Sequence, residues 1–389
     1  MRGSLRARGT RLEAACGGGP ALRAARGSRY LAGRRQQGAG GARLGAAHQL
    51  RRPGPAHGGR RSGAARVKVL VTGADGFVGR WLIRRLLDDG REVYAAERPT
   101  APPGGEGRPT GSELTDEERA AVHWLPLELT DAASVRSCVD HPYDAVVHLA
   151  AVASTRDAER DPGYTWTVNA AGTARIAHAL GESRRAGRAD PVVLLASTSE
   201  VYGRGDERPR RETDPVAPVS PYAASKLGAE VALLEEWRRT GLRGVIARPF
   251  AHTGPGQDLR FVVPAFAQRL KLARRIGAPV VKVGNLEPVR EFLHVKDVVD
   301  AYARLLVKGQ AGEIYNVASG RGVSLERLLE LLADLVGVRP ILEADPELMR
   351  PTDIPHLVGD GSKLRLATGW TPRSCLEDTL KDVIDAQAD

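Results

Sequence analysis

A tyrosine and a lysine lie four positions apart in the stretch SPYAASK, residues 220–226. Residues i and i+4 share one face of a helix, so Tyr222 and Lys226 can point into the same space. A free phenol has a pKa of about 10 and is a poor base at neutral pH, but a neighbouring ammonium favours its ionised form. The pair therefore predicts a proton-transfer tyrosine whose ionised form the ammonium favours. Alone, the same spacing is more typical of an exposed helix, so the interpretation depends on the rest of the chain.

Hydroxyl and carboxylate side chains follow an apolar run further upstream. PVVLLAS predicts a buried strand, and STSEVYG at 197–203 places Thr198 and Glu200 at its carboxyl end. A carbonyl that is reduced by hydride needs its oxygen held in place and a proton delivered to the developing alkoxide. We predict that Thr198 holds the oxygen and that Tyr222 donates the proton.

A glycine loop precedes both of these stretches. The apolar run VKVLVT at 67–72 leads directly into GADGFVG, in which Gly73, Gly76 and Gly79 are spaced three apart, and a helical pattern begins at once. Glycines allow the tight turn and the close backbone approach that leave a helix N-terminus facing a pyrophosphate. The strand, loop and helix together predict a dinucleotide-binding site, with a purely structural turn as the alternative.

The residues after the second and third strands bear on the choice between NAD and NADP. Glu97 ends the second strand and could hold a ribose diol, which favours NAD, whereas Arg98 could meet the 2′-phosphate of NADP. Glu128 and Asp131 follow the third strand, either beside the adenine or as the start of a helix. The cofactor is predicted to be NADP or NAD. Its positively charged nicotinamide, together with Lys226, is expected to lower the pKa of Tyr222 to about 7.

The elements that must position these residues alternate along the chain from Val67. Predicted strands cover 67–72, 91–97, 122–127, 144–150, 191–197, 243–249, 279–283 and 313–317, and predicted helices cover 77–90, 162–186, 261–275, 296–308 and 324–337, with others after Asp131, from Pro221 and from Cys375. The polar stretch from Arg98 to Arg119 is predicted to be a surface loop. Near-continuous apolar strands that alternate with helices predict an α/β fold with a Rossmann-like doubly wound parallel sheet.

The 389 residues are predicted to form three parts. Residues 1–66 are a disordered Arg/Gly/Ala-rich tail, residues 67–249 a dinucleotide-binding domain joined by parts of 291–318, and residues 250–389 mainly a smaller C-terminal α/β substrate lobe. Ligands of such sheets bind at the carboxyl ends of the strands, where the strand order reverses. We expect the site there.

Charge is divided unevenly between the tail and the remainder. Residues 1–66 contain 15 arginines, no lysine and one acidic residue, Glu13, and so carry +14, whereas the remainder has 42 basic and 46 acidic residues and carries −4. The tail has almost no periodic apolar pattern, which predicts disorder. Three interpretations of the tail remain: an organelle transit peptide, an over-extended start of the sequence, or a nonspecific tail. No specific nucleic-acid partner is predicted.

Cysteine spacing and hydropathy exclude other classes of protein. Cys16, Cys138 and Cys375 form no disulfide framework and no zinc spacing, and no run approaches the roughly 18 apolar residues of a membrane span. We therefore expect a cytoplasmic protein without a metal and without a membrane partner.

Four motifs together resemble the extended short-chain dehydrogenase/reductase family. They are TGADGFVG, NAAGT at 169–173, STSEVYG and SPYAASK, and the resemblance runs from about Val67 to the C-terminus. It implies that Thr198, Tyr222 and Lys226 are the catalytic triad, that Asn169 orders the site, and that the protein is a homodimer joined through the Tyr222 helix. The predicted cofactor contacts are Gly73, Gly76, Phe77, Val78, Gly79, Glu97, Arg98, Glu128, Leu129, Leu149, Ala150, Ala151, Asn169, Tyr222 and Lys226.

The C-terminal lobe narrows the resemblance to one branch. RPFAHTGPGQ, VGNLEPVREFLHVKDVVDAY and RPTDIPHLVGDGSKL are similar to the GDP-mannose 4,6-dehydratases and GDP-4-dehydro-6-deoxy-D-mannose reductases. The resemblance implies that Arg290 and Arg350 grip a diphosphate, which suits bidentate guanidinium geometry. Ser199 and His252 complete the predicted substrate set. Ala251 departs from the branch, which usually has asparagine between the Phe and the His.

A GDP-sugar is the expected substrate, and the reaction stays open between alternatives. The leading hypothesis is NAD(P)H-dependent reduction of a GDP-4-keto-6-deoxy-hexose, which needs Thr198, Tyr222 and Lys226. In the dehydratases a glutamate placed like Glu200 is an additional acid-base group, so Glu200 keeps a GDP-mannose 4,6-dehydratase open. Another nucleotide-sugar 4-epimerase or dehydratase ranks third, and a noncatalytic NAD(P)-binding regulator is the alternative from a different class.

Overall fold

Fourteen strands lie within residues 66–99, 113–277, 280–349 and 354–387, the parts of the chain that the computed structural model describes. They are β1 (Lys68–Thr72), β2 (Glu92–Glu97), β3 (His123–Pro126), β4 (Ala145–His148), β5 (Val192–Ala196), β6 (Arg243–Pro249), β7 (His252–Thr253), β8 (Val280–Val283), β9 (Val289–Arg290), β10 (Leu293–His294), β11 (Ile314–Val317), β12 (Val323–Ser324), β13 (Ile341–Ala344) and β14 (His356–Leu357). The predicted tail lies outside the described residues, apart from Arg66.

Seven of these strands form one parallel sheet in the order β11-β6-β5-β4-β1-β2-β3. In its centre, Val71 of β1 lies opposite Ala95 of β2 and Val147 of β4. The order reverses between β1 and β4, because the chain first adds β2 and β3 on one side and then crosses to the other. A crevice forms at the carboxyl ends of the strands at such a reversal. The predicted doubly wound parallel sheet is confirmed, and β11 joins it from the C-terminal half of the chain.

Helices cover both faces of this sheet. The α-helices of the described residues are α1 (Phe77–Asp88), α2 (Asp116–Ala120), α3 (Ala132–Val139), α4 (Thr155–Arg160), α5 (Pro162–Trp166), α6 (Gly172–Arg185), α7 (Pro221–Thr240), α8 (Val262–Ile276), α9 (Val295–Lys308), α10 (Leu325–Val336), α11 (Ser362–Thr368) and α12 (Leu376–Ala386). Among them, none is long and apolar enough to cross a membrane.

Successive residues of β1 pack into two different cores. Val71 belongs to a core that includes Ile83 of α1 and Val298 of α9, whereas Leu70 packs with Ile176 of α6 and Leu233 of α7. Side chains alternate between the faces of a strand, so a strand covered on both sides must be apolar throughout. This requirement explains the uninterrupted apolar runs of the sequence.

A third core lies in the C-terminal part of the chain. Leu270 of α8, Leu332 of α10 and Leu380 of α12 pack there, all fully buried. The parallel pair β8 and β13 lies beside them, with Val281 in the same core. These helices and strands form the predicted smaller α/β lobe.

Two local predictions need correction. The helix predicted over 162–186 is interrupted by a π-helical turn at Thr167–Ala171, between α5 and α6. The stretch predicted as a loop to Arg119 contains the short helix α2, which begins because the Thr115 hydroxyl accepts from the Glu118 N–H while the Glu118 carboxylate accepts from the Thr115 N–H. Residues 100–112 of that stretch lie outside the described residues.

Candidate active site

A cavity of about 1020 Å³ opens along the carboxyl ends of the parallel strands, beside the reversal between β1 and β4. Its volume reaches the upper end of ligand-binding pockets, about 300–1,000 Å³. The predicted site residues that line it are Gly73, Gly76, Phe77, Val78, Gly79, Glu97, Arg98, Glu128, Leu129, Leu149, Ala150, Ala151, Thr198, Ser199, Glu200, Tyr222, Lys226, His252 and Arg290. Asn169 is not among the lining residues, and Arg350 lies outside the described residues.

The glycine loop has the geometry that a pyrophosphate requires. Gly76 is the N-cap of α1 and, as a glycine, has no side chain that could accept from the first N–H groups of that helix. A Cβ on Gly79 would lie 2.3 Å from the Gly73 carbonyl oxygen, and one on Gly73, whose φ is +68°, would lie 2.8 Å from the Ala150 nitrogen. The N–H groups at this helix N-terminus and the positive end of the helix dipole fit the phosphates of a dinucleotide.

Charged groups of both signs line the cavity beyond β2 and β3. Glu97 and Arg98 are there together with Glu128. The Glu128 carboxylate accepts from the Thr130 N–H at 2.9 Å and from the Thr130 hydroxyl at 2.8 Å, and these bonds, with the charge of Arg98, hold its pKa below the ordinary value. Asp131 has the alternative role of a helix start, because its carboxylate caps the first turn of α3.

Thr198 and Tyr222 approach each other across the cavity from two elements. Thr198 is the N-cap of a single 3₁₀ turn at Ser199–Tyr202, just after β5, and Tyr222 lies in the first turn of α7. Burial raises the pKa of Tyr222, the charge of Glu200 raises it further, and a hydrogen bond with Thr198 lowers it by less. The protein's own groups thus raise the pKa of Tyr222, so the lowering predicted from Lys226 is wrong, and the phenol is protonated at neutral pH. The part of the prediction that depends on the nicotinamide stays a prediction.

Lys226 lies one turn further along α7, with 3 % of its surface exposed. Burial lowers the pKa of Lys226 to about 8, against the opposing charge of Glu230. On the strand beside it, burial and the charge of Lys226 lower the pKa of His148 to about 3. The neutral imidazole bonds Thr72 at 2.7 Å and Thr173 at 3.0 Å. Lys226 is thus the principal positive charge of this part of the cavity at neutral pH.

Asn169 lies behind the cavity wall rather than in it. Its amide accepts from the Val152 N–H at 2.8 Å and donates to the Val152 carbonyl at 3.1 Å and to Ser225 Oγ at 2.9 Å. Asn169 lies in the π-helical turn, which departs from regular α-helical register, and from there its amide contacts both Val152 and Ser225. Asn169 therefore joins the segment after β4 to α7.

On the other side of the cavity, the His252 ring stacks on Phe77 with centroids 6.3 Å apart and an interplanar angle of 8°. Its Nδ1 lies 2.9 Å from the Phe250 carbonyl, and burial lowers its pKa, so the neutral ring donates there. Ala251 lines the same wall. Arg290 reaches the cavity from β9 while its Nη1 donates to the Val289 carbonyl at 2.8 Å.

Arg80 and Tyr302 are among the lining residues that sequence reasoning missed. Arg80 is 7 % exposed and donates from Nη2 to the Gly256 carbonyl at 3.3 Å, and Tyr302 of α9 is 1 % exposed. An arginine on the buried stripe of α1, directly after Gly79, is a signal that could have identified the first. Within the described parts of the chain, no group of three or more His, Cys, Asp or Glu side chains could hold a metal ion.

A sequence profile of the NAD dependent epimerase/dehydratase family matches residues 69–318. The chain belongs to this family. The matched residues include every strand of the parallel sheet except the first residue of β1, the glycine loop and the Tyr222 helix.

Relatives within the family act on several nucleotide sugars. GDP-6-deoxy-D-mannose reductase of Pseudomonas aeruginosa is 36 % identical over 320 residues, which are 82 % of this chain and 96 % of that protein. The structure of RMD from the same organism in complex with NADPH is 32 % identical, with a TM-score of 0.68 over 82 % of this chain and 98 % of the other. UDP-glucose 4-epimerase of Thermus thermophilus in complex with NAD is 29 % identical, with a TM-score of 0.70 over the same shares.

The chain is therefore an NAD(P)-dependent enzyme of the nucleotide-sugar epimerase, dehydratase and reductase type. Its glycine loop, with a glycine at the helix N-cap and no room for a Cβ at Gly79, fits the cofactor that the family uses. Glu97 and Arg98 both line the cavity, and solved relatives hold NAD or NADPH.

Proposed function

We propose that the protein reduces the 4-keto group of a GDP-4-keto-6-deoxy-hexose with a reduced nicotinamide cofactor. The observation that carries the proposal is the 36 % identity with a GDP-6-deoxy-D-mannose reductase over nearly the whole of that protein. The protonation of the site agrees with it, because a reductase needs a phenol that begins the reaction with its proton.

Each catalytic side chain has a role in the reduction. The reduced nicotinamide, when bound, supplies the hydride for the C4 carbonyl carbon. Tyr222 gives its proton to the carbonyl oxygen as the C–O double bond becomes an alkoxide, while the Thr198 hydroxyl holds that oxygen in line. The Lys226 ammonium stabilises the phenolate that Tyr222 leaves behind. Arg290 binds the diphosphate of the sugar nucleotide through its guanidinium.

The test is to incubate the purified enzyme with GDP-4-keto-6-deoxymannose and NADPH, and then with NADH, while following nicotinamide absorbance. We expect loss of absorbance and a 6-deoxyhexose product. Tyr222→Phe should lower kcat by about 10²- to 10⁴-fold. Tyr143→Phe removes a buried tyrosine's hydroxyl, which donates to the Cys138 carbonyl away from the cavity, and should leave kcat unchanged. No turnover with either cofactor would exclude the reductase.

A GDP-mannose 4,6-dehydratase is the second candidate, and Glu200 favours it. Its charge acts on Tyr222, so the carboxylate lies close to the proton-transfer group. A dehydratase must abstract the C5 proton and expel the C6 hydroxyl, which requires one more acid-base group than a reduction. It would convert GDP-mannose without net consumption of cofactor and lose that activity in Glu200→Gln. The reductase should survive the same substitution.

The same assay and the same Tyr222→Phe variant also distinguish a 4-epimerase and a noncatalytic regulator from the reductase. An epimerase would interconvert a nucleotide sugar and its C4 epimer without net cofactor consumption, so UDP-glucose belongs in the substrate panel. A regulator that binds NAD(P) without turnover would keep its function in Tyr222→Phe.

The proposal also includes a homodimer in a reducing, cytoplasmic compartment. The outer surface of α5 and α7 supports a dimer, because Trp166 and Val231 are 45 % and 59 % exposed there. The Trp166 ring packs over Gly228, one turn before Val231, so the two side chains belong to the same apolar surface.

A further inference from the structure

A buried ion pair lies directly behind the catalytic lysine. Glu230 and Arg248 are 2 % and 3 % exposed, and Arg248 donates to the two carboxylate oxygens at 2.9 Å from Nε and 2.6 Å from Nη2. Glu230 follows Lys226 by four residues, as Lys226 follows Tyr222. The three side chains therefore form one stripe along α7, with the carboxylate at its inner end.

The same pair is joined to the segment that carries the threonine. Ser197, which directly precedes Thr198, donates from its hydroxyl to the Glu230 carboxylate at 2.5 Å. The Arg248 guanidinium lies 4.8 Å from the ring centroid of Tyr202, the last residue of the 3₁₀ turn after Thr198. One ion pair thus contacts both elements that supply the catalytic set.

Charge at this position acts on Lys226 itself. Burial holds the pKa of Lys226 down, and Glu230 is the group that raises it. The titratable and charged groups around Lys226 and its neighbour Tyr222 are Tyr222 and Glu230 on α7, His148 on β4, Arg248 on β6, Tyr302 on α9 and Glu200 in the 3₁₀ turn. His148 is neutral, and Glu200 acts on Tyr222, so Glu230 is the carboxylate that supports the lysine.

We infer that Glu230 is a positioning residue for the reaction: it keeps Lys226 charged and, with Arg248 and Ser197, holds the Thr198 turn against the catalytic helix. The inference rests on the proposed roles of Thr198, Tyr222 and Lys226. Glu230 acts through these residues and does not line the cavity itself. A purely structural ion pair would stabilise the fold without moving the pH range of activity, which gives the two interpretations different outcomes.

The first experiment compares the pH profile of kcat for Glu230→Gln with that of the unchanged enzyme. The reaction needs the Lys226 ammonium, so activity is lost as pH rises through its pKa, which lies near 8. Removal of the carboxylate disfavours the ammonium and should move this alkaline limb to lower pH by about one unit. Glu236→Gln is the matched control, because Glu236 is on the same helix, equally buried and paired with Arg239. Its profile should not move.

The double variant Glu230→Gln/Arg248→Gln addresses a failure of the single variant to fold. It removes both charges, so it avoids the large cost of leaving one charge buried without its partner. The alkaline limb should still move downward, because the carboxylate is the partner that acts on Lys226. A limb that stays in place in folded variants, whatever the loss of rate, would overturn the inference.

A titration without substrate separates this inference from the proposed function. The chain has eight lysines, so lysine labelled with carbon-13 at Cε gives few signals, and Lys226→Arg assigns the relevant one. Its midpoint should fall by about one pH unit in Glu230→Gln and stay in Glu236→Gln. If the unchanged enzyme does not reduce the GDP-sugar but the midpoint moves, the proposed reaction fails while the action of Glu230 on Lys226 stands.

Discussion

The Lys226 side chain carries a positive charge at neutral pH although it is buried, and burial disfavours a charge. It is 3 % exposed, and its pKa falls from the ordinary 10.5 to about 8 because burial destabilises the ammonium. A lysine at this depth serves stability poorly, and its proposed part in proton transfer gives a reason for its presence. The charge has to lie beside Tyr222 without being neutralised by a direct carboxylate partner, and Glu230 is itself engaged by Arg248 and Ser197.

Lys226→Met should therefore stabilise the protein while abolishing turnover. The folded pKa of about 8 lies below the unfolded 10.5, so the unfolded state binds more protons between these values. Stability of the unchanged protein should rise with pH across this window, and the variant should lack that slope. At pH 7 its free energy of unfolding should be higher by about 3 kcal/mol. Urea unfolding at pH 7 and pH 10 measures both effects.

Lys381→Met provides the control for this prediction. The Lys381 side chain is 63 % exposed, and Asp385 raises its pKa, so the substitution removes no buried charge. It should leave stability at pH 7 and its pH dependence nearly unchanged. A lower stability of Lys226→Met than of the unchanged protein would show that burial is not the cause of the shifted pKa.

At the scale of elements, the cofactor site depends on how closely α1 approaches the strand before it. Gly79→Ala would place a Cβ 2.3 Å from the Gly73 carbonyl oxygen and 2.6 Å from that of Ala74, both backbone atoms. The helix must move outward to accommodate it, which costs about 1–3 kcal/mol and misaligns its N-terminal N–H groups. We expect NADPH and NADH to bind about ten- to a hundredfold more weakly by isothermal titration calorimetry.

A second glycine distinguishes this crowding from a general effect of alanine. Gly163 in α5 has 3.7 Å between a built Cβ and the nearest atom, a carboxylate oxygen of Asp161. Gly163→Ala should leave both dissociation constants as they are, with circular dichroism to verify the fold of each variant. Equal losses in the two variants would mean that the close approach of α1 is not what the cofactor requires.

The elements that the sequence predicted well are those with a strong local pattern. An apolar run predicted β1, and a Ser-Pro pair predicted the start of α7. Both elements begin within one residue of the predicted position. β13 was not predicted, because its residues are exposed and show no buried apolar pattern. It pairs with β8, and the paired residues Ile341 and Val280 are 61 positions apart in the sequence. The π-helical turn was not predicted either, since the partners that Asn169 contacts from it lie elsewhere in the chain.

The same division applies to the site. Gly73, Thr198 and Lys226 were found because each belongs to a short motif whose spacing carries its chemistry. The direction of the Tyr222 pKa was not, because it depends on depth of burial and on the approach of Glu200. The role of Glu230 was accessible in part, since the repeated spacing of four along α7 is visible in the sequence, but its partner Arg248 lies on another strand.

At the scale of the whole molecule, one cavity collects residues from nearly the full length of the described chain. Its lining runs from Gly73 in the glycine loop to Leu357 in β14. The glycine loop and the ends of the parallel strands form one side of the cavity. Arg290 and Phe292 reach it from the part of the chain that follows β8, the strand that packs in the third core. A substrate that bridges these groups would be held by both parts of the chain, which is the arrangement that hydride transfer between two bound molecules needs.

The proposed dimer is the remaining property at this scale. Val231→Arg would place a charge on the apolar surface that Trp166 and Val231 share on α5 and α7, and a desolvated charge opposes association strongly. Light scattering coupled to size exclusion should give a dimer for the unchanged protein and a monomer for the variant. Val307→Arg is the control, since Val307 is 67 % exposed on α9, and it should remain dimeric. A monomer in the unchanged protein, or a dimer that tolerates Val231→Arg, would rule out this surface as the subunit contact.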